Sequence, residues 1–279
     1  MRYLSRNIEY EYNQPIRLVL FSDTHLGSPY FARRHFIKFI TGAMDHPNAW
    51  LIGIGDQIDA IVPADVKRFQ ISAIDKKYLT SDNPDEVLDA QAADFVSIME
   101  PFKNRLLGLI EGNHEESIRK RYGMNPHRRL ICEPLGCENL GRSCLYLLKF
   151  QQKTGNGTTR TRSLTVFAHH GFGGGGRTEG GSITKYSRFM TYYDADIYVT
   201  AHDHDYWVKK IARISITTTG KMQHRDMVLA NTGAFMKTLS DTDTPSWAET
   251  RGFPPRILGG LILEFYPDSH AWGELKVIE

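Results

Sequence analysis

The stretch Ala49-Trp50-Leu51-Ile52-Gly53-Ile54-Gly55-Asp56-Gln57-Ile58-Asp59 runs apolar and then stops at a carboxylate. Such a run suits a strand of a parallel sheet covered on both faces, and sheets of that kind hold their ligands beyond the strands' carboxyl ends. The stretch therefore reads as a buried strand delivering Asp56 to a site.

Four other segments repeat the design. Arg17–Phe21 runs into Ser22-Asp23-Thr24-His25, and Arg105–Ile110 into Glu111-Gly112-Asn113-His114-Glu115; Leu164–Ala168 runs into His169-His170-Gly171, and Ile197–Ala201 into His202-Asp203-His204. One Asp or His after a strand is ordinarily a turn residue or a helix cap. Five such endings are a different matter, because Asp, His and Asn are ligand types for divalent first-row metals. So many converging from strand ends points to two ions rather than one.

At 279 residues the chain has length for one large domain or two small ones. The five segments span too much of it for a break between them, so a single domain over residues 1–279 is expected. Hydrophobic residues make up 41%, enough for a core, and 34 basic against 32 acidic residues give a net charge of +2, far from a dedicated nucleic-acid binder. That balance leaves room for a local basic groove. Cys132, Cys137 and Cys144 fit no metal or redox spacing and read as reduced thiols. The polar start, Met1 to Asn13, and the lack of a long apolar run predict a cytoplasmic protein without a membrane span.

Apolar spacing predicts a helix over 31–44, completing a βαβ unit with the strands on either side, and another over 85–102. Between them the long polar stretch 60–84 is a candidate lid or substrate-contacting insertion, with a plain surface loop as the alternative. Arg119, Lys120 and Arg121 form either a solvated helix face or a phosphate-gathering surface. Segments 145–150 and 162–167 flank a turn-rich spacer and read as a hairpin. The strands expected within 206–217, 227–230, 258–265 and 273–278 are assigned to a second sheet, giving an α/β fold: a four-layer α/β/β/α sandwich of two mixed β-sheets flanked by helices. The glycine-rich stretch 171–181 lacks the spacing of a nucleotide-binding loop; it is either a connector or a loop whose N–H groups approach an anion, with Arg177 as a phosphate clamp.

Asp-x-His, Gly-Asp-x-x-Asp, Gly-Asn-His-Glu, His-Gly and x-His-x-His, in that order, resemble the calcineurin-like metallophosphoesterases from Asp23 to His204. Ala201 stands where many members have Gly, and Ala60 follows Asp59 where the Ser/Thr protein phosphatases have Arg, which argues against that branch. The resemblance implies two divalent cations, manganese foremost with iron, zinc, nickel or cobalt as alternatives, bridged by Asp56. One would be held by Asp23, His25 and His204, and the other by Asn113, His202 and a histidine of the His169-His170 pair. His170 is favoured because the family's ligand stands immediately before Gly. By the same resemblance Asn113 and His114 contact the phosphate, His114 protonates the leaving group, and Asp59 orients His114 or a ligand. On a regular strand His202 and His204 would share one face and so reach neighbouring ions.

The activity implied is hydrolysis of a phosphoester, as phosphatase or phosphodiesterase, by a hydroxide activated between two ions. The substrate is a small molecule in the leading reading. A DNA or RNA nuclease is the alternative, and a non-catalytic interaction module is a third, opposed by the full set of ligand residues.

Overall fold

In the segment Ile16–Phe21, Leu18 and Leu20 face one apolar cluster while Val19 and Phe21 face another, and all four are buried. A strand buried on both faces must lie inside a layered structure. The computed structural model describes residues 1–62, 68–79, 86–152, 160–174, 178, 180–216, 219–240, 245–269 and 273–278.

The elements are β1 (Arg2–Tyr10), β2 (Ile16–Phe21), α1 (Arg33–Met44), β3 (Ala49–Gly53), α2 (Glu86–Met99), β4 (Leu106–Leu109), α3 (Asn113–Tyr122), β5 (Ser143–Gln152), β6 (Thr161–His169), α4 (Gly181–Ser187), α5 (Phe189–Tyr192), β7 (Ile197–Thr200), β8 (Tyr206–Ile216), β9 (Met222–Thr232), α6 (Trp247–Thr250), β10 (Leu261–Tyr266) and β11 (Glu274–Ile278). Among the described residues one sheet has the order β1-β5-β6-β7-β9-β8 and the other β11-β10-β2-β3-β4. Both are mixed: β2, β3 and β4 run parallel while β10 is antiparallel to β2, and β6, β7 and β9 run parallel while β5 is antiparallel to β6 and β8 to β9.

Three clusters define the layers. Leu18, Leu20 and Ile52 meet Tyr146, Val166, Val199 and Ala230 between the sheets. The other face of the β2–β3 sheet, with Val19, Phe21 and Leu51, packs on Phe36 and Ile40 of α1 and Phe95 and Met99 of α2. Phe167, Tyr198 and Leu229 on the far face of the second sheet meet Tyr186 and Phe189 of α4 and α5. The result is the α/β/β/α sandwich of two mixed sheets, with most of the stabilising apolar burial in its two inner sheets.

One expectation is corrected, and two features are added. The four C-terminal strands do not complete one sheet: β8 and β9 extend the sheet of β5–β7, whereas β10 and β11 add to β2. Burial of Leu263 and Phe265 between the sheets holds β10 there. The polar N-terminus forms β1, parallel to β5, because Leu4, Ile8 and Tyr10 are buried while their charged neighbours face outward. The helix after β4 begins at Asn113, so Asn113 and His114 lie in its first turn. Within 60–84, residues 68–79 carry short 3₁₀ turns at Ile71–Ala73 and Lys76–Tyr78, while 63–67 and 80–84 lie outside the described residues.

Candidate metal centre

Strands β2, β3, β6 and β7 end side by side, and their continuing loops are cross-linked through backbone groups. The Asp23 N–H donates to the Gly55 carbonyl (3.0 Å), that of His25 to Asp56 (3.1 Å), and that of Ala201 to His170 (3.1 Å). Asp23, His25, Asp56, His202 and His204 all have positive φ, between 44° and 74°. Non-glycine residues adopt that region rarely and at a cost of about 1–3 kcal/mol each. At a strand end it turns the side chain out of the pleat. The shared-face account of His202 and His204 therefore fails: β7 ends at Thr200, and both histidines are aimed by left-handed backbone.

Two groups of side chains result. Asp23, His25 and His204 converge, as do Asp56, His170 and His202. His25 Nε2 lies 3.0 Å from His204 Nε2, and Asp23 Oδ1 lies 3.3 Å from His204 Nε2. His170 Nε2 lies 3.2 Å from Asp56 Oδ2 and 3.0 Å from Asn113 Oδ1. Asp56 Oδ1 accepts the backbone N–H of His114, so the oxygen shared between the groups is Oδ2, which is also 3.8 Å from His25 Nε2.

The ring tautomers follow from acceptors that cannot donate. His170 Nδ1 donates to the Ile54 carbonyl (2.7 Å), His202 Nε2 to the Gly173 carbonyl (2.7 Å), and His25 Nδ1 faces Asp59 Oδ1 (3.1 Å). In its neutral form each ring then has its other nitrogen as a lone pair, which is how proteins prepare imidazoles for metals. Asp23 Oδ1 is buried with no hydrogen-bond partner, although Asp23 Oδ2 accepts from the His202 N–H (3.0 Å) and Ser22. An orphaned carboxylate oxygen beside converging lone pairs is costly unless a cation sits among them. The residues fit divalent cations.

Opposite charges outweigh burial at these groups. Burial alone would push the Asp56 carboxyl up and the His170 ring down. The charges of His170 and His114 instead hold Asp56 well below the usual carboxylate range, and Asp56 lifts His170 to about 9. Asp23 is likewise held low against its burial, chiefly by His204.

His114 Nδ1 donates to the Asp59 carbonyl (2.7 Å), with Asp59 Oδ1 at 3.2 Å, so Asp59 touches both His114 and His25. His114 also falls within a third convergent group with His25 and Asp56. His169 faces away: it lies among Phe167, Phe172 and Phe189, accepts the Gly171 N–H, and is pushed down to about 4, first by burial.

Arg177 lies outside the described residues. In the described start of its loop the Gly171 N–H is engaged by His169, the Gly173 carbonyl by His202, and the Phe172 and Gly174 carbonyls by Lys185. Arg119 pairs with Glu111 and Glu116, and Lys120 with Glu116, which favours the solvated-face reading of that helix.

One organising residue escaped the sequence reading. Glu115 is fully buried; its Oε1 accepts the N–H groups of Gln57 (2.7 Å) and Ile58 (3.1 Å), and its Oε2 accepts that of Gly112 (3.0 Å). It thus ties the loop bearing Asp56 to the helix start bearing Asn113. Burial, then the charge of Asp56, pushes it up to about 7. Its place three residues after Gly112 at a helix start was the available signal.

The centre lies at the base of a cleft of about 940 Å³ lined by His25, Asp56, Asn113, His114, His202 and His204. Paired mixed sheets carrying carboxylates and imidazoles beyond their strand ends define a metal-binding α/β protein of the phosphoesterase type. The calcineurin-like phosphoesterase family model matches residues 16–206, more than half of the chain, and the chain belongs to that family. Its membership supports metal-dependent phosphoester hydrolysis in general. No curated protein matches the sequence. Similar solved structures include a metallophosphoesterase from Sphaerobacter thermophilus (11% identity, 95% of this chain and 89% of that one, TM-score 0.35). The NAD nucleotidase NadN of Haemophilus influenzae (10% identity, 95% and 49%, TM-score 0.39) and Vps29 of Chaetomium thermophilum (10% identity, 94% and 94%, TM-score 0.37) are also similar. Among the described residues no helix is long and apolar enough to cross a membrane.

Proposed function

We propose that the protein hydrolyses phosphoester bonds at a dinuclear metal centre, with Asp56 as the shared ligand. The observation that carries this reading is the position of Asp56 Oδ2, 3.2 Å from His170 Nε2 on one side and 3.8 Å from His25 Nε2 on the other. Asp23, His25 and His204 would complete one cation site, and Asn113, His170 and His202 the other. Two divalent ions, when bound, neutralise phosphoryl charge and make a water acidic enough to attack near neutral pH.

The remaining steps belong to side chains. Ile54, Gly173 and Asp59 hold the imidazoles in the tautomers that leave ligand nitrogens bare. His114, partly exposed in the cleft and fixed through Nδ1 by the Asp59 carbonyl, has Nε2 left to face a substrate and give a proton to the departing oxygen. Asn113 would contact the phosphate from the helix start. Arg177 remains in the proposal as a phosphate contact.

The test is hydrolysis of bis(p-nitrophenyl) phosphate, p-nitrophenyl phosphate and single-stranded DNA, with manganese, iron, zinc, nickel or cobalt added to chelator-treated protein. Metal-restored turnover of at least one of these supports the reading. Absence of turnover on all three with every metal overturns it and favours the non-catalytic alternative.

A further inference from the structure

Asn113, His170 and His202 stand on three segments remote in sequence, and the second cation site needs all three brought to one point. Arg142 reaches the first two directly and the third through Gly171. It immediately precedes β5, beside the place where β5 pairs with the end of β6, and its carbonyl accepts the His170 N–H at 3.2 Å. Its guanidinium holds two acceptors: Nη1 donates to Glu116 Oε2 at 2.8 Å, and Nη2 to the Gly171 carbonyl at 2.7 Å.

Both acceptors sit next to ligands. Glu116 lies three residues along α3 from Asn113, so the two share a side of the helix. Gly171 follows His170 with a φ of +115°, and a Cβ added to it would lie 2.7 Å from the Ala201 carbonyl oxygen and 2.7 Å from His202 Cβ. Its peptide is thus pressed against the turn that aims His202, and the bond from the Ala201 N–H to the His170 carbonyl closes the same contact. Neither acceptor belongs to a segment bearing Asp23, His25 or His204.

A guanidinium presents its donors in a rigid planar fork, so two acceptors on it are fixed in distance and in angle; an ammonium is a point charge on a flexible stem. Groups that orient ligands without touching the metal change metal affinity by about 10–100-fold when they are removed. Resting on the dinuclear phosphoesterase reading, we infer that Arg142 is a positioning residue for the second cation site. It sets Asn113 and His170 relative to each other and supports His202, while the site of Asp23, His25 and His204 assembles without it.

The experiment titrates manganese by calorimetry into chelator-treated parent, Arg142→Met and Arg142→Lys, and repeats Arg142→Met in the Asp23→Ala and His202→Ala backgrounds. The parent should take up two ions. In Arg142→Met one of them should bind about tenfold or more weaker while the other keeps its parent affinity. That loss should appear in the Asp23→Ala background, which retains mainly the second site, and be absent in the His202→Ala background. Arg142→Lys keeps the charge without the fork and should show the same selective loss. A merely structural cross-link would weaken both ions alike. Equal weakening of both ions, parent-like affinities in either variant, or a loss that appears in the His202→Ala background overturns the positioning role and leaves the dinuclear reading intact. A parent that binds fewer than two ions overturns the dinuclear reading; Arg142 then keeps its role if Arg142→Met and His202→Ala each weaken a remaining ion about tenfold, and loses it otherwise.

Discussion

Asp56 Oδ1 accepts the backbone N–H of His114 at 2.9 Å, so the carboxylate at the end of β3 and the first turn of α3 are built as one unit. One oxygen serves the protein and the other faces both imidazole groups. The proposed bridging carboxylate is therefore anchored through a backbone N–H.

Asp56→Ala is expected to lose both ions, whereas Asp23→Ala loses mainly one, because among the described residues Asp23 Oδ1 lies nearest His204 and His25. Elemental analysis of purified variants reads this directly. Full metal content in Asp56→Ala would remove the bridging assignment.

His114→Ala should keep its metals and its melting temperature and lose about a hundredfold in turnover, as for a general acid or a phosphate contact. The loss should be smaller on an activated aryl phosphate, whose leaving group needs no proton. Loss of an ion on His114→Ala would instead make His114 a ligand, an arrangement allowed by its convergence with His25 and Asp56.

Glu115→Ala strands three N–H donors, those of Gln57, Ile58 and Gly112. With an unmade buried hydrogen bond costing about 1–3 kcal/mol, the variant should lose at least about 3 kcal/mol and bind metal weakly. Glu115→Gln keeps an acceptor for two of them but can set an amide N–H₂ against the third, so an intermediate loss is expected. Urea titration with and without manganese measures both, and a parent-like midpoint would remove the clamp from the account.

Asp94 accepts from Arg33 (2.6 and 2.7 Å), Lys77 and Tyr78, tying the 76–79 turn to α1 and α2 beside the cleft wall. Burial pushes its carboxyl up, but these partners win and hold it well below its ordinary value. A lowered folded pKa means that the stabilisation is present above the unfolded value of about 3.9 and disappears as pH falls through the folded one. Asp94→Asn should cost about 1–2 kcal/mol at pH 7, discounted because Arg33 and Lys77 are partly exposed, and the gap should begin to narrow only below about pH 4. A gap that does not vary with pH would show that the carboxylate charge is not what holds the turn.

Much was legible in the chain alone. Apolar runs ending in Asp, Asn and His are local signals, and a strand buried on both faces cannot end in polar residues without a place for them. That pattern identified the strands delivering Asp23, Asp56, Asn113, His170 and His204, and the order of the motifs pointed to the family. It could not assign β10 to the sheet of β2, since strand partners are chosen by burial between layers and not by the strand's own alternation. Nor could it find Glu115, whose partners are N–H groups rather than side chains. The share of work between the two oxygens of Asp56, the exclusion of His169 and the left-handed turns at five site residues depend on close backbone approach between loops remote in sequence. Residue types and their spacing are properties of the chain, but the direction of a side chain at a strand end is set by what packs against the turn, and only the tertiary structure decides that.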